Sequence, residues 1–217
     1  VLGEAYNTTF WFYDVPVFYF PYINFPVKNE RKSGILYPGL AYSDGDGLEF
    51  ELPIYWNIAP NYDFTFSPRY LQHRGVIFKN EFRYLPFLGT QGSIYGEFIN
   101  HDKRANADTD RQKYDTPDDD ATRWFLNIKH HSNLGNTGIG LDIDYSRTKS
   151  RDYNYVNDYE PMEITDNQLS QMMKLSYNAD HFESSVRTQY YQSLIPEGTV
   201  RLAPFRLLPE VALNYHN

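Results

Sequence analysis

The sequence predicts an all-β protein made of long antiparallel strands, and three observations support this prediction. Apolar and polar residues alternate with a period of two along most of the chain, most clearly from Leu48 to Ile58, whereas helical periodicity is nearly absent. The chain contains roughly ten such stretches, many of them ~9–12 residues long, while strands of globular proteins are usually near ~5–6 residues. The connections between the stretches are either short turns or long polar loops, and the two kinds fall on opposite ends of the strands. These features favour a segment of an antiparallel transmembrane β-barrel over a soluble β-sandwich.

The composition limits the class of protein and of partner. The chain of 217 residues holds 20 Tyr, 15 Phe and 3 Trp and carries a formal net charge of −8, which argues against nucleic acid as a partner. It has no cysteine, so this stretch contains no disulfide and no thiolate metal site. No run approaches the ~20 apolar residues of a membrane helix. The negative mean hydropathy does not exclude a membrane, because only alternate residues of a barrel strand face lipid.

Residues 1–30 differ from the rest of the chain. Prolines recur every five residues at Pro16, Pro21 and Pro26, so we expect short strands here and a separate module that ends between Glu30 and Ser33. The stretch begins without Met or a signal peptide, and the last residues of the chain stop in a strand-like pattern. We therefore interpret the sequence as a piece of a longer protein.

The long stretches have one apolar and one charged face. From Leu48 to Ile58 the even positions are apolar, and the odd positions include Glu49 and Glu51. The charged face is predicted to line the wet interior of a barrel, and its candidate lumen-facing residues are Glu49, Glu51, Arg69, Lys79, Glu81 and Arg83. Such residues form either a hydrophilic passage or simply a solvated wall of paired charges.

The loops are predicted to separate by length onto the two ends of the strands. Residues 101–121, 151–167 and 195–204 form long polar loops after the fifth, seventh and ninth stretches. Short turns follow the second, fourth, sixth and eighth. Outer-membrane barrels have this arrangement, with short periplasmic turns and long external loops, whereas a sandwich has no reason to sort its loops.

Two prolines lie near the middle of the first two long stretches. Pro38 and Pro53 flank the turn formed by residues 44–47, and each removes one N–H from the β-ladder. One interpretation is that they mark bulges or a sheet edge. The other is that they weaken this part of the wall so that it can open.

Several long runs of the sequence resemble one family. VPVFYFPYINFPVKNERKSGILYPG (15–39), LPIYWNIAPNYDFTFSPRYLQHRG (52–75) and NEFRYL (80–85) are similar to the lipopolysaccharide-assembly family LptD, the outer-membrane lipopolysaccharide translocons once called organic solvent tolerance proteins. The resemblance is densest over residues 15–85 and looser through RWFLNIKHHS (123–132) to the end of the chain.

The resemblance implies a fold and a set of functional residues. Residues 1–30 would be the end of a periplasmic β-jellyroll, and residues 31–217 the first ten or so strands of a barrel of about 26 strands. Pro38 and Pro53 would belong to a lateral gate that passes lipid A into the outer leaflet, and Pro26 would be a hinge between jellyroll and barrel. Four side chains would line an acyl-chain groove in the jellyroll, namely Phe10, Phe12, Val17 and Tyr19; an ordinary sandwich core is the other interpretation of these residues.

The family also implies partners and a location. Lipopolysaccharide would be the cargo, and outer-membrane lipids would surround the barrel. The lipoprotein LptE would form a plug inside the barrel, and the periplasmic protein LptA would form a bridge to the jellyroll. The chain would lie in the outer membrane with its N-terminal segment in the periplasm, and it would be no enzyme and need no cofactor. Consistent with this, the sequence has no G-x-S-x-G, P-loop or H-E-x-x-H motif, and the acidic stretch 107–120 lacks EF-hand spacing.

Two alternatives remain open at this point. The chain could belong to a different outer-membrane barrel, such as a porin, a transporter or a phospholipase. It could also be a soluble β-sandwich that binds carbohydrate through its tyrosines and tryptophans, which should then purify without detergent.

Overall fold

A computed structural model of the protein describes residues 2–12, 14–26, 31–103, 122–149, 168–194 and 206–215. Regular structure in these residues is β-sheet, apart from short 3-10 turns such as Gly135–Thr137, and every strand pair is antiparallel. The all-β antiparallel class predicted from the alternation is therefore confirmed. Within the described residues, no helix is long and apolar enough to span a membrane.

The N-terminal residues form a two-stranded sheet, β1 (Leu2–Phe12) and β2 (Val15–Pro26). The expectation of short strands in this region is wrong, because β2 is 12 residues long and includes Pro16, Pro21 and Pro26. Among the described residues β1 and β2 pair only with each other, which leaves each strand an unpaired side on which proline is tolerated. The ladder shifts register between Phe10 and Trp11, beside Pro16. The chain reverses at Asp14, which has a φ of 60°.

The described residues from 34 onward contribute twelve strands to the second sheet. They are β3 (Gly34–Ile35), β4 (Gly39–Ser43), β5 (Gly47–Glu51), β6 (Ile54–Ala59), β7 (Tyr62–Leu71), β8 (Gly75–Phe87), β9 (Thr90–Ile99), β10 (Arg123–Asn133), β11 (Ile139–Thr148), β12 (Gln168–Ala179), β13 (Phe182–Ser193) and β14 (Arg206–Tyr215).

The predicted stretches correspond to these strands, and the first two stretches are each divided in two. β3 and β4 together pair with β6 and β5, and we call this unit, residues 34–59, the first hairpin. β5 and β6 both pair with β7, and β7 to β14 then follow in chain order. In the part of the chain that the structure describes, β3 and β4 pair on one side alone, so they form an edge of the sheet.

The connections sort by length as predicted. One end of the sheet carries the short turns at 60–61, 88–89, 134–138 and 180–181, which we call the short-turn end. The opposite end carries the three long connections that follow β9, β11 and β13, together with the turns at 44–46 and 72–74. We call this the long-loop end.

The register gives the sheet one polar and one apolar face. Glu51 lies opposite Arg69, and Lys79 lies opposite Ser67 on one side and Glu97 on the other, so charged side chains line up across neighbouring strands. The six predicted lumen-facing residues all occupy this polar face. Near its long-loop end the polar face also holds a small buried apolar cluster, which includes Leu71, Ile77, Ile99 and Phe125.

Burial on the two faces is the reverse of that in a soluble protein. On the apolar face, Trp56 is 58% exposed and Met173 is 48% exposed. On the polar face, Asp63 is 2% exposed and Glu97 is 3% exposed. The sheet therefore presents large apolar side chains outward and encloses charged ones, which soluble proteins avoid.

Candidate functional site

The most unusual feature of the sheet is an interruption in the middle of the first hairpin. Residues 36–38 separate β3 from β4, and residues 52–53 separate β5 from β6 at the same height. Pro38 and Pro53 both lie in this interruption, so the structure brings together the two prolines that the sequence singled out.

The interruption is also a shift in register. Ile35 lies opposite Ile54 on one side of it, and Gly39 lies opposite Glu51 on the other, so three residues of the first strand face two of the second. This two-against-three arrangement is a β-bulge, as one interpretation of the prolines proposed. Across it, the backbone N–H of Leu36 donates to the carbonyl of Pro53 at 2.8 Å. Pro53 has no N–H with which to return this bond.

A third proline borders the same interruption, and the sequence analysis did not identify it. The N–H of Leu52 donates to the carbonyl of Pro68 in β7 at 3.1 Å. Pro68, like Pro53, cannot return the bond. Which residue pairs with Pro68 depends on strand register, which the sequence does not show. The equal spacing of 15 residues from Pro38 to Pro53 and from Pro53 to Pro68 could have pointed to Pro68.

The polar face beside the interruption carries closely paired charges. Arg69 Nη2 lies 2.5 Å from Glu49 Oε2, and Lys79 Nζ lies 3.1 Å from Glu51 Oε2. These side chains border an open pocket of about 320 Å³, which is lined by Gly39, Leu40, Ala41, Glu49, Glu51, Arg69 and Lys79. Its lining has as many cationic as anionic side chains, so the pocket combines polar surface with no net charge.

The short-turn end of the first hairpin is held by a charge network that we call the base network. Asp63 is almost fully buried, and Arg83 donates to its two carboxylate oxygens at 2.8 and 3.0 Å. Arg31 Nη1 and the Tyr55 hydroxyl also donate to Asp63, each at 3.3 Å. Asn57 adds contacts to the backbone carbonyl of Arg31 at 3.0 Å and to Ser33 Oγ at 2.8 Å.

The long-loop end of the hairpin is held by a second group, the tip network. Asp102 is 1% exposed and lies 3.0 Å from both Arg74 Nη2 and Arg123 Nε. Arg74 Nη1 also lies 3.7 Å from Asp46, in the turn of the first hairpin. The backbone N–H of His73 donates to the carbonyl of Asp46 at 3.0 Å, so the turn at 44–46 is tied to the turn at 72–74. The hairpin is therefore anchored at both ends and interrupted between them.

The predicted groove and hinge lie in the N-terminal sheet. For Phe10, Phe12 and Val17 the structure describes the backbone but not the side chain. Tyr19 is exposed, and its hydroxyl donates to Asn7 Oδ1 at 2.6 Å. Pro26 is the last residue of β2 and lies opposite Leu2. The groove, the hinge and the module boundary after residue 30 remain predictions.

Comparison with known proteins finds members of the family that the sequence resembles, and these relatives match nearly the whole chain. A family model described as LptD, LPS transport system D, matches residues 121–217, the part in which the sequence resemblance is looser. The LPS-assembly protein LptD of Aeromonas salmonicida is 39% identical over 100% of this chain, and that of Photobacterium profundum is 39% identical over 99%. The LPS-assembly protein LptD of Haemophilus influenzae is 34% identical over 99%. The chain covers 26%, 25% and 26% of these three proteins, respectively.

Proposed function

The chain belongs to the LptD family, and from this premise we propose that it forms part of an outer-membrane wall that delivers lipopolysaccharide to the cell surface. Each relative named above is an LPS-assembly protein, and the chain spans about a quarter of their length. The chain would thus contribute the first strands of the barrel in the longer protein.

The observation that carries this proposal is the reversed burial of the sheet. Side chains such as Trp56 and Met173 are exposed in a row of long strands, where water would penalise them and hydrocarbon would not. Charged side chains such as Asp63 and Glu97 lie on the opposite face, where an enclosed aqueous interior would accept them. The soluble sandwich fits poorly, because it would bury the apolar face against a second sheet.

Within this wall we assign the interruption of the first hairpin to a lateral gate. Pro38 lies between the edge strands β3 and β4, and Pro53 lies at the same height between their partners β5 and β6, so a backbone donor is missing from each side of the hairpin. A missing bond costs more in lipid than in water, since no water replaces it. The acyl chains would leave through this section toward the apolar side, while the sugars stay on the polar side near Glu49, Glu51, Arg69 and Lys79.

The remaining assignments follow from the family. Residues 1–30 would end a periplasmic jellyroll with Pro26 as its hinge, and Phe10, Phe12, Val17 and Tyr19 would line its acyl-chain groove. LptA would deliver lipopolysaccharide to this jellyroll, and LptE would occupy the barrel interior, against the polar face. The chain would act as a conduit without making or breaking covalent bonds.

Photocrosslinking in living cells tests the proposal. A photoreactive residue at Tyr37, within the interruption and 87% exposed, should crosslink to lipopolysaccharide. Val186, on the apolar face of β13 and 43% exposed, is the matched control and should crosslink to bulk phospholipid instead. Equal capture of lipopolysaccharide at the two positions would contradict the gate.

A further inference from the structure

We propose that Pro68 is a third gating residue, and that it extends the flexible section from the edge strand to the interface between β5–β6 and β7. This inference rests on the proposed gate. It follows from the register around Pro68, from the bond that Pro68 accepts and from the absence of a bulge in its strand.

Pro68 lies directly across from the interruption. Glu51 pairs with Arg69 and Ile54 pairs with Phe66, so the unbroken register between these pairs sets Leu52 opposite Pro68. Pro53 is the next residue along. Pro38, Pro53 and Pro68 therefore form a row across three neighbouring strands at one height of the sheet.

The bond between Leu52 and Pro68 runs in one direction only. In an antiparallel ladder, two residues that form a hydrogen-bonded pair exchange two N–H···O bonds. Leu52 donates to Pro68 at 3.1 Å, but Pro68 has no N–H to donate to the Leu52 carbonyl. Leu36 and Pro53 repeat this pattern at 2.8 Å on the other side of β5–β6. Residues 52–53 consequently lose one bond toward each neighbouring strand, and the strand itself breaks into β5 and β6 there.

Pro68 borders the bulge of the first hairpin, but its own strand is neither an edge nor bulged at this position. Proline is normally confined to edge strands, first residues of strands and bulges. β7 pairs on both sides, and its register is unbroken from Leu71 to Tyr62 against β8, a range that includes Pro68. The register shifts close to two other prolines of the sheet: Pro86 lies between Tyr84 and Phe87, where the β8–β9 ladder shifts, and Pro209 lies opposite the shift between Arg187 and Gln189.

The consequence is a larger moving part than the edge strand alone. Because Pro53 donates no bond, β3–β4 can separate from β5–β6 at the interruption. Because Pro68 donates no bond either, β5–β6 can also bend away from β7 at the same height. The base and tip networks hold the two ends of the hairpin to the rest of the sheet, so the motion is a bowing of its middle. An opening of this kind enlarges the exit without detaching the hairpin.

The test is to restore the missing donor. Pro68→Ala and Pro68→Val in the full-length protein both supply an N–H, with different side chains, and both should bond to Leu52. Hydrogen–deuterium exchange of the peptide containing Leu52 should slow by about 2- to 10-fold, as expected for one added backbone bond. Export of lipopolysaccharide to the cell surface should slow with it. Pro209→Ala, at the register shift between β13 and β14 far from the first hairpin, is the control and should change neither quantity.

The outcomes separate this inference from the gate itself. If Pro53→Ala slows export while both Pro68 variants export normally at wild-type protein levels, Pro68 has no gating role and the inference is overturned. If neither position affects export, the proposed gate fails as well. If slowed exchange and slowed export occur together in both Pro68 variants but not in Pro209→Ala, the inference holds.

Discussion

Lysine substitution at two adjacent methionines gives a direct test of the reversed faces. Met172 and Met173 lie side by side near the middle of β12, yet they belong to opposite faces of the sheet. Met172 lies opposite Asp144 on the polar face, whereas Met173 lies opposite Ile143 on the apolar face. The two substitutions change the same side chain to the same charge, so only the environment differs.

The expected difference follows from where each ammonium group would reside. For Met173→Lys, a cation at the middle of the lipid-facing side of a barrel should cost about 2–4 kcal/mol. For Met172→Lys, the new cation faces the carboxylate of Asp144 across the ladder, and such a pair contributes about 0–1 kcal/mol in favour of folding. Met173→Lys should therefore be less stable than Met172→Lys by at least about 2 kcal/mol.

The measurement is the free energy of unfolding of the full-length protein in lipid bilayers, with the amount of assembled protein in cells as a second readout. Met173→Lys should lower both quantities, and Met172→Lys should leave both close to wild type. In a soluble β-protein, a lysine at the half-exposed Met173 would be harmless. Equal stability of the two variants, or greater damage from Met172→Lys, would refute the assignment of the apolar face to hydrocarbon.

The two networks at the ends of the first hairpin give the remaining predictions. Arg31→Ala removes a half-exposed contact to the base network, so the free energy of unfolding should fall by less than about 1 kcal/mol. Hydrogen exchange of the β3 amides should nevertheless accelerate. The control is Arg187→Ala, which breaks the exposed pair with Glu210 and should leave exchange in β3 unchanged. Asp102→Asn removes the buried anion between Arg74 and Arg123 and should cost about 3–5 kcal/mol, measured as loss of assembled protein. Normal assembly of Asp102→Asn would show that the tip network does not hold the hairpin.

Some features of the fold could be predicted because they depend on local periodicity. Side chains alternate strictly between the faces of a strand, so the common face of Glu49 and Glu51 followed from counting by two. The order of long and short connections likewise followed from counting strands, since each antiparallel strand ends on the opposite side from the last. The position of Pro38 and Pro53 near mid-strand needed no more than their distance from the turn at 44–47.

Other predictions failed or could not be made because they depend on context. Prolines at 16, 21 and 26 suggested short strands, but β2 continues through them. Among the described residues β2 pairs with β1 alone, which leaves an unpaired side on which proline is tolerated. The burial of Asp63 and Asp102 was not foreseen either. Each is one carboxylate among 28 acidic residues in the sequence, and only the approach of distant arginines distinguishes it.

The sequence by itself determined that the chain forms long strands with one apolar and one charged face, because alternation is a property of neighbouring residues. Only the tertiary structure decided which residues meet across the strands: that Pro53 accepts a bond from Leu36, and that Pro68 accepts one from Leu52. The physical reason is that a one-residue change in register alters every partner across a ladder, while it leaves the sequence of each strand unchanged.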